Sequence, residues 1–386
     1  MIIELVILWV VLGFLSFGLL GMNFLIMRRA AKHPWRLEIN RDYAPKVSIL
    51  VPTYNESDVI GFKLENLSKL DYPKELTQII VVDSSSTDRT LDIVSDFCKQ
   101  YHEVSIEILR GEKRGKSTAL NSALKHCVGD VVVVSDADCF WPSNILHVAL
   151  PFLADSSVGA VSGPKILLNP NQSWITRTEE GYLNSMNLMK FGESKIWSTL
   201  LFEGGFSAYK KQTLETFDPY NTGSDDCGTL IKFAEKNFRT IVVPEARFYT
   251  TFPTTWMEKI SMKMRRSNQL MRVLLRYIDL ILKGQIGSPK RIIIQGFLTY
   301  ILAPLMFIAL LVTTIMLLSL FPYFALLLLI FLIPRAGLLV FESIQNYAIL
   351  FVSFLAVISG KRFLIWNQPK DRALINGKVL QEHGLI

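Results

Sequence analysis

Asp136-Ala137-Asp138 places two carboxylates one residue apart, just after the apolar run Val131 to Val134. At the end of a buried strand such a pair is a hard-oxygen site suited to Mg²⁺ or Mn²⁺, ions that proteins often share with substrate phosphates. Alone, the pair is common. Two other polar groups occupy comparable places: Thr53-Tyr54-Asn55-Glu56 follows the run ending at Pro52, and Asp83-Ser84-Ser85 closes a second β-rich run. Any one of them could be a turn or cap residue, but three together describe one acidic rim. Gly111-Glu112-Lys113-Arg114-Gly115-Lys116-Ser117 looks like a phosphate-binding P-loop, yet its glycines are separated by three residues where that loop requires four. The spacing argues against a nucleoside-triphosphate site and leaves Lys113 and Lys116 able to reach a diphosphate.

Positioning such a rim takes a sheet. From Lys46 to about Val243 short β-rich runs alternate with helical stretches, which predicts an α/β domain with largely parallel strands. Strands are expected from Val47 to Pro52, Gln78 to Asp83, Val104 to Arg110 and Asp130 to Ser135, the last of them central because its middle is wholly apolar. Helices are expected up to Leu70 and from Leu91 to Gln100, Lys116 to Cys127 and Gly228 to Lys236. Ligands of open sheets bind beyond the carboxyl ends of the strands, where these polar groups fall.

The flanks are of another kind. Half of the 386 residues are apolar and 19% are charged, and the mean hydropathy is +0.31. Ile2 to Met27 carry one charge, Glu4, over a stretch long enough for a helix to cross a bilayer. No basic region precedes it and no small-residue cleavage site is evident, which argues against a signal peptide. Arg28, Arg29, Lys32, His33 and Arg36 follow, so the positive-inside tendency puts the downstream domain in the cytosol. A second apolar region, Ile292 to Ser359, is broken at Phe321-Pro322, Pro334-Arg335 and Glu342 to Asn346 and holds two or three spans. Lys361, Arg362, Lys370, Arg372 and Lys378 come after it, and placing them in the cytosol needs an even number of crossings. The net charge of +7 sits beside these hydrophobic segments, which points to anionic lipid and not nucleic acid as partner. Cys98, Cys127, Cys139 and Cys227 lack paired metal-site spacing and read as packing residues.

Taken in order, these motifs resemble family 2 glycosyltransferases of the GT-A fold. Val47 to Glu56 is similar to that family's opening strand, Val82 to Asp88 to its second motif, Lys113 to Asn121 to its third and Ser135 to Asp138 to its Asp-x-Asp. Glu203-Gly204-Gly205-Phe206-Ser207-Ala208 resembles its acceptor-side glycine segment, and Ser224-Asp225-Asp226 its Thr-Glu-Asp. The match spans roughly residues 45 to 275. It implies that Pro52, Thr53, Tyr54, Glu56 and Asp83 hold the nucleoside, with Lys113, Lys116 and Asp136 on the donor. Asp136 and Asp138 would carry the metal, and Gly204 and Gly205 would face the acceptor. The implied chemistry inverts the anomeric centre, with Asp226 taking the proton of the acceptor hydroxyl as it attacks. Asp226 can equally be the N-cap of the helix behind it, and Asp225 can do either job.

The resemblance is imperfect in two places. Membrane-bound polymer synthases of the family carry Gln-x-x-Arg-Trp on an interfacial helix. The basic, amphipathic stretch Trp256 to Tyr277 offers Lys263, Arg266 and Ser267 instead. Arg266 could still pair with the diphosphate, but the missing Trp removes a stacking platform for an acceptor sugar. Ser84 stands where the family commonly has another acid. The expectation is a multi-pass membrane enzyme with a transmembrane helix over 1–28, a cytosolic catalytic domain over 45–255, an interfacial helix region over 256–290, a transmembrane region over 291–360 and a cytosolic tail over 361–386. It would move a sugar from a nucleotide-diphosphate donor to a lipid-linked glycan or polyprenyl phosphate, in preference to processive polysaccharide synthesis; its oligomeric state stays open. A transporter or receptor is the remote alternative, since Arg335 and Glu342 are the charges within the apolar region.

Overall fold

A computed structural model of the chain describes residues 2–101, 105–111, 115–323, 325–326, 333–363 and 374–386. Lys113, Lys370 and Arg372 lie outside them, as does the side chain of Arg335. The chain forms two compact bodies, one of residues 27–259, 284–289 and 374–386, the other of 2–26, 260–283 and the described part of 290–365.

The first body is built on a seven-stranded sheet. Its strands are β1 (Val47–Thr53), β2 (Thr77–Asp83), β3 (Ile106–Arg110), β4 (Val131–Val134), β5 (Val158–Ser162), β7 (Ser207–Lys210) and β8 (Arg239–Val242); β6 (Lys165–Leu167) and β9 (Phe248–Thr250) pair separately. The order is β3-β2-β1-β4-β7-β5-β8, parallel except for β7, which is antiparallel to both neighbours. Alternation along β1 and β4 divides the core. Ile49, Val51, Val131 and Val133 pack on one face with the Ile60–Ser68 helix, while Leu50, Val132 and Val134 pack on the other with the Lys116–Leu124 and Cys227–Glu235 helices. The expected helix from Lys116 ends at Leu124, three residues early, and the one behind Asp226 begins at Cys227.

Register delivers the rim. Thr53 lies beside Asp83 and Asp83 beside Arg110, while Leu50 lies beside Val134, so β4 stops three residues short of the ends of β1 and β2, and Ser135 to Asp138 follow directly from it.

In the second body and at its junctions, Ile2–Ala30, Lys290–Leu320 and Val340–Ile358 are long and apolar enough to cross a membrane. The polar cluster Glu342 to Asn346, expected to break the apolar region, lies instead inside the continuous Pro334–Ile358 helix. Its neighbours account for that: Asn346 Oδ1 accepts from Lys263 Nζ at 3.3 Å, and the adjacent Tyr347 hydroxyl donates to the Ser16 carbonyl. Partners of this kind satisfy polar groups within an apolar helix bundle. Pro334 occupies the first turn, where its missing N–H costs nothing.

Candidate active site

The loops after β1 and β2 are knitted together before any ligand is considered. Asn55 and Ser85 adopt positive φ, 54° and 65°. Asn55 N donates to Ser86 Oγ at 2.8 Å and Asn55 Oδ1 accepts from Thr87 N at 2.7 Å; Glu56 N donates to Thr90 Oγ1 at 2.8 Å. Buried Asp83 accepts from Ser86 N on one carboxylate oxygen (3.0 Å) and from Ser86 Oγ and Thr53 Oγ1 on the other (2.5 and 3.4 Å). Asp83 thus braces the loops after β1 and β2.

The carboxylates of Asp136 and Asp138 and the thiol of Cys139 bring one ligand atom each within 4.8 Å of the others. Burial, reinforced by Asp138 and Asp136, holds the Cys139 thiol well above the ordinary range. Sulfur is a soft ligand and a poor match for a hard ion, whereas two carboxylates that leave positions for phosphate oxygens suit Mg²⁺ or Mn²⁺. The donor set fits the expected ion through Asp136 and Asp138.

Lys116, at the first turn of its helix, joins this pair to the second acidic motif. Its Nζ lies 2.6 Å from Asp136 Oδ1 and 2.8 Å from Asp225 Oδ2. Burial works against the ammonium, but Asp136, Asp225 and Asp226 outweigh it and hold its pKa well above the ordinary lysine value. Burial also pushes the Asp225 carboxyl up to about 6, against the pull of Lys116. Asp226 is the N-cap of the Cys227–Glu235 helix: its Oδ1 accepts from Cys227 N at 2.6 Å and from the Ser224 hydroxyl. Of the two candidates, Asp225 faces Lys116 and Asp226 is anchored at the helix end.

Gly204 and Gly205 do different things. A Cβ on Gly204 would lie 2.7 Å from Lys116 Nζ and 2.9 Å from Asp136 Oδ2, so its bareness keeps the floor of the site open. A Cβ on Gly205 would strike the Phe248 ring at 2.1 Å, inside the core. Asp136 N donates to Gly204 O at 3.2 Å, which joins the two motifs through the backbone.

Arg266 is carried by the Trp256–Leu282 helix, within the second body. Local patterns marked Glu203 only as the start of the glycine segment and gave no sign that it holds two buried lysines at once, Lys190 at 2.6 Å and Lys165 at 3.2 Å. Nor did they single out buried Lys63, whose Nζ donates to Cys139 O at 2.7 Å, on the residue after Asp138. The partners in both cases are far apart in sequence.

Comparison with known proteins gives one family match, two curated relatives and one solved structure. The family model described as "Glycosyltransferase like family 2" matches residues 45–269. A probable glycosyltransferase of Bacillus subtilis is 35% identical over 181 residues, 45% of this chain and 42% of that protein. A beta-monoglucosyldiacylglycerol synthase of Nostoc is 28% identical over 257 residues, 64% of this chain and 53% of its own length. The chain thus spans about half the length of these curated relatives. Among solved structures, a mannosyltransferase from Pyrobaculum calidifontis in complex with GDP-Man and Mn²⁺ superposes with a TM-score of 0.79 at 28% identity, covering 93% of this chain and 100% of that one.

Proposed function

Since the chain belongs to the family 2-like glycosyltransferases and has their GT-A fold, we propose that it transfers a sugar from a nucleotide-diphosphate donor to a lipid-linked glycan or polyprenyl phosphate at the cytosolic membrane face. The observation that carries this reading is the reach of Lys116, which links Asp136 of the metal pair to Asp225 of the second acidic motif, just ahead of the Cys227–Glu235 helix.

The chain's own groups divide the work. The Thr53–Glu56 loop, braced on Asp83 and Ser86, forms the nucleoside wall. Asp136 and Asp138 would hold Mg²⁺ or Mn²⁺, whose charge neutralises the diphosphate as it leaves. Lys116 carries a cation to the same place, where it offsets developing phosphate charge. Asp226 is the proposed base: its Oδ1 is fixed by the helix N-terminus, and its Oδ2 takes the proton of the acceptor hydroxyl. Asp225 positions Lys116. Gly204 leaves the acceptor room to approach.

Several features support a membrane-bound acceptor. Three helices among the described residues are long enough to span. Residues 374–386 belong to the same body as the catalytic sheet, which calls for an even number of crossings between them. The basic residues at 28–36 favour the cytosolic side. Relatives are named both as lipid glycosyltransferases and as a poly-beta-1,6-N-acetyl-D-glucosamine synthase. With three spanning helices among the described residues and Ser267 in place of a stacking Trp, single addition is favoured over extrusion of a polymer.

The test is mass analysis of lipid extracts from membranes supplied with individually labelled UDP- and GDP-sugars and Mn²⁺. One donor should label a lipid, and Asp226→Asn should stop transfer while donor binding persists. If no donor releases UDP or GDP, the proposal fails.

A further inference from the structure

After its last apolar helix the chain returns to the catalytic body. Ile375, Leu380 and Leu385 are buried in the hydrophobic cluster that contains Val47, Ile60 and Trp141, and Asn376 caps the short Gly377–Glu382 helix. The point of attachment is Asn66, 2% exposed, on the Ile60–Ser68 helix. Its Nδ2 donates to Leu385 O at 2.6 Å and to Trp141 O at 2.8 Å, and its Oδ1 accepts from Trp141 N at 3.0 Å. One amide thus bridges the returning segment and the loop that follows Asp138.

That loop is held from its other sides as well. Lys63 Nζ donates to Cys139 O and lies 4.1 Å from the Trp141 ring centroid. Phe140 and Tyr249 exchange backbone hydrogen bonds of 2.8 Å in both directions. Trp141 Nε1 donates to Gly205 O at 2.7 Å, next to Gly204, whose carbonyl receives Asp136 N. A continuous set of contacts therefore runs from Leu385 through Asn66 and Trp141 to the turn beneath Asp136.

We propose that residues 374–386 are a working part of the catalytic centre: clamped on Asn66, they fix the loop after Asp138 and so set how tightly Asp136 and Asp138 hold a divalent cation. Asn66 is a positioning residue and touches neither ion nor donor. Groups that orient metal ligands in this way commonly change metal affinity by ~10–100-fold when removed. The proposal rests on the reading of Asp136 and Asp138 as metal ligands. It has a consequence for assembly: the segment is separated from the sheet by the Lys290–Leu320 and Val340–Ile358 helices, so the metal site reaches its final form only after the chain beyond both helices has come back.

The experiment measures Mn²⁺ binding to the full-length protein in detergent by electron paramagnetic resonance, with UDP and GDP in turn, alongside thermal unfolding. Asn66→Ala should weaken Mn²⁺ binding about tenfold or more, and Leu385→Ala should shift it in the same direction. Val94→Ala, fully buried in the same cluster but on the Thr90–Gln100 helix, should lower the melting temperature and leave Mn²⁺ affinity unchanged. Should Asn66→Ala not fold, Leu385→Ala decides. Asn66→Ala and Leu385→Ala proteins that melt lower but bind Mn²⁺ like the wild type overturn the proposal alone. A wild type that binds no Mn²⁺ overturns the metal reading, and the proposal with it.

Discussion

Gly204→Ala separates damage to the site from damage to the fold. The added methyl would lie 2.7 Å from Lys116 Nζ and 2.9 Å from Asp136 Oδ2. The ammonium is the end of a flexible chain and can retreat, so folding loses little. Retreat, however, breaks the 2.6 Å contact with Asp136 and the 2.8 Å contact with Asp225. A charge-assisted hydrogen bond contributes ~1.5–3 kcal/mol, and the lower part of that range applies because both Lys116 and Asp136 are about one-third exposed. At about 1.4 kcal/mol per factor of ten, a loss of about 1.5–2 kcal/mol lowers kcat/KM for the donor roughly 10–30-fold. Gly205→Ala is the control: its methyl meets the buried Phe248 ring at 2.1 Å, and overpacking of this kind costs ~1–3 kcal/mol of stability. Donor kinetics and melting temperatures of both variants provide the assay. A Gly204→Ala protein with wild-type kcat/KM, or one that melts as early as Gly205→Ala, would refute the reasoning.

Two further outcomes follow from the same geometry. Cys139→Ala should need no more Mn²⁺ than the wild type in donor-binding titrations, because soft sulfur is a poor ligand for a hard ion; a variant that needs much more Mn²⁺ would place sulfur in the metal shell. Burial pushes the Glu193 carboxyl from 4.5 up to about 7, against the hydrogen bond from Thr199 Oγ1 and the charge of Lys190. The fold therefore holds this proton more tightly than the unfolded chain, so stability falls as pH rises from about 4.5 to about 7 and levels off above that. Glu193→Gln should flatten that window in a series of melting temperatures against pH.

The acidic rim was legible in the sequence because it is local. Val131 to Val134 announce a buried strand, and Asp136-Ala137-Asp138 can only emerge at its carboxyl end; the same logic places Thr53 and Asp83. The sheet's parallel part follows from alternating short runs. The antiparallel β7 between β4 and β5 does not, since Ser207 to Lys210 gains its place by pairing with segments more than 40 residues away in the chain. Lys116 was singled out from a motif, but its bridge from Asp136 to Asp225 depends on the fold bringing three separate segments together. Asp226 shows local chemistry serving two readings: an acid before a helix is a cap and a candidate base, and the structure shows the cap. The return of residues 374–386 left no local mark at all. Ile375, Leu380 and Leu385 have the spacing of any short amphipathic segment, and the folded cluster together with the buried amide of Asn66 reveals where they dock.

The central claim is that Asp136 and Asp138 hold a metal-bound nucleotide sugar. It is tested most directly by calorimetric titration of the full-length protein with UDP- and GDP-sugars, in Mn²⁺ and again in chelator. The account predicts binding of one donor in Mn²⁺, its loss in chelator, and its loss in Asp138→Asn with Mn²⁺ present. Donor binding that survives both chelator and Asp138→Asn would contradict it.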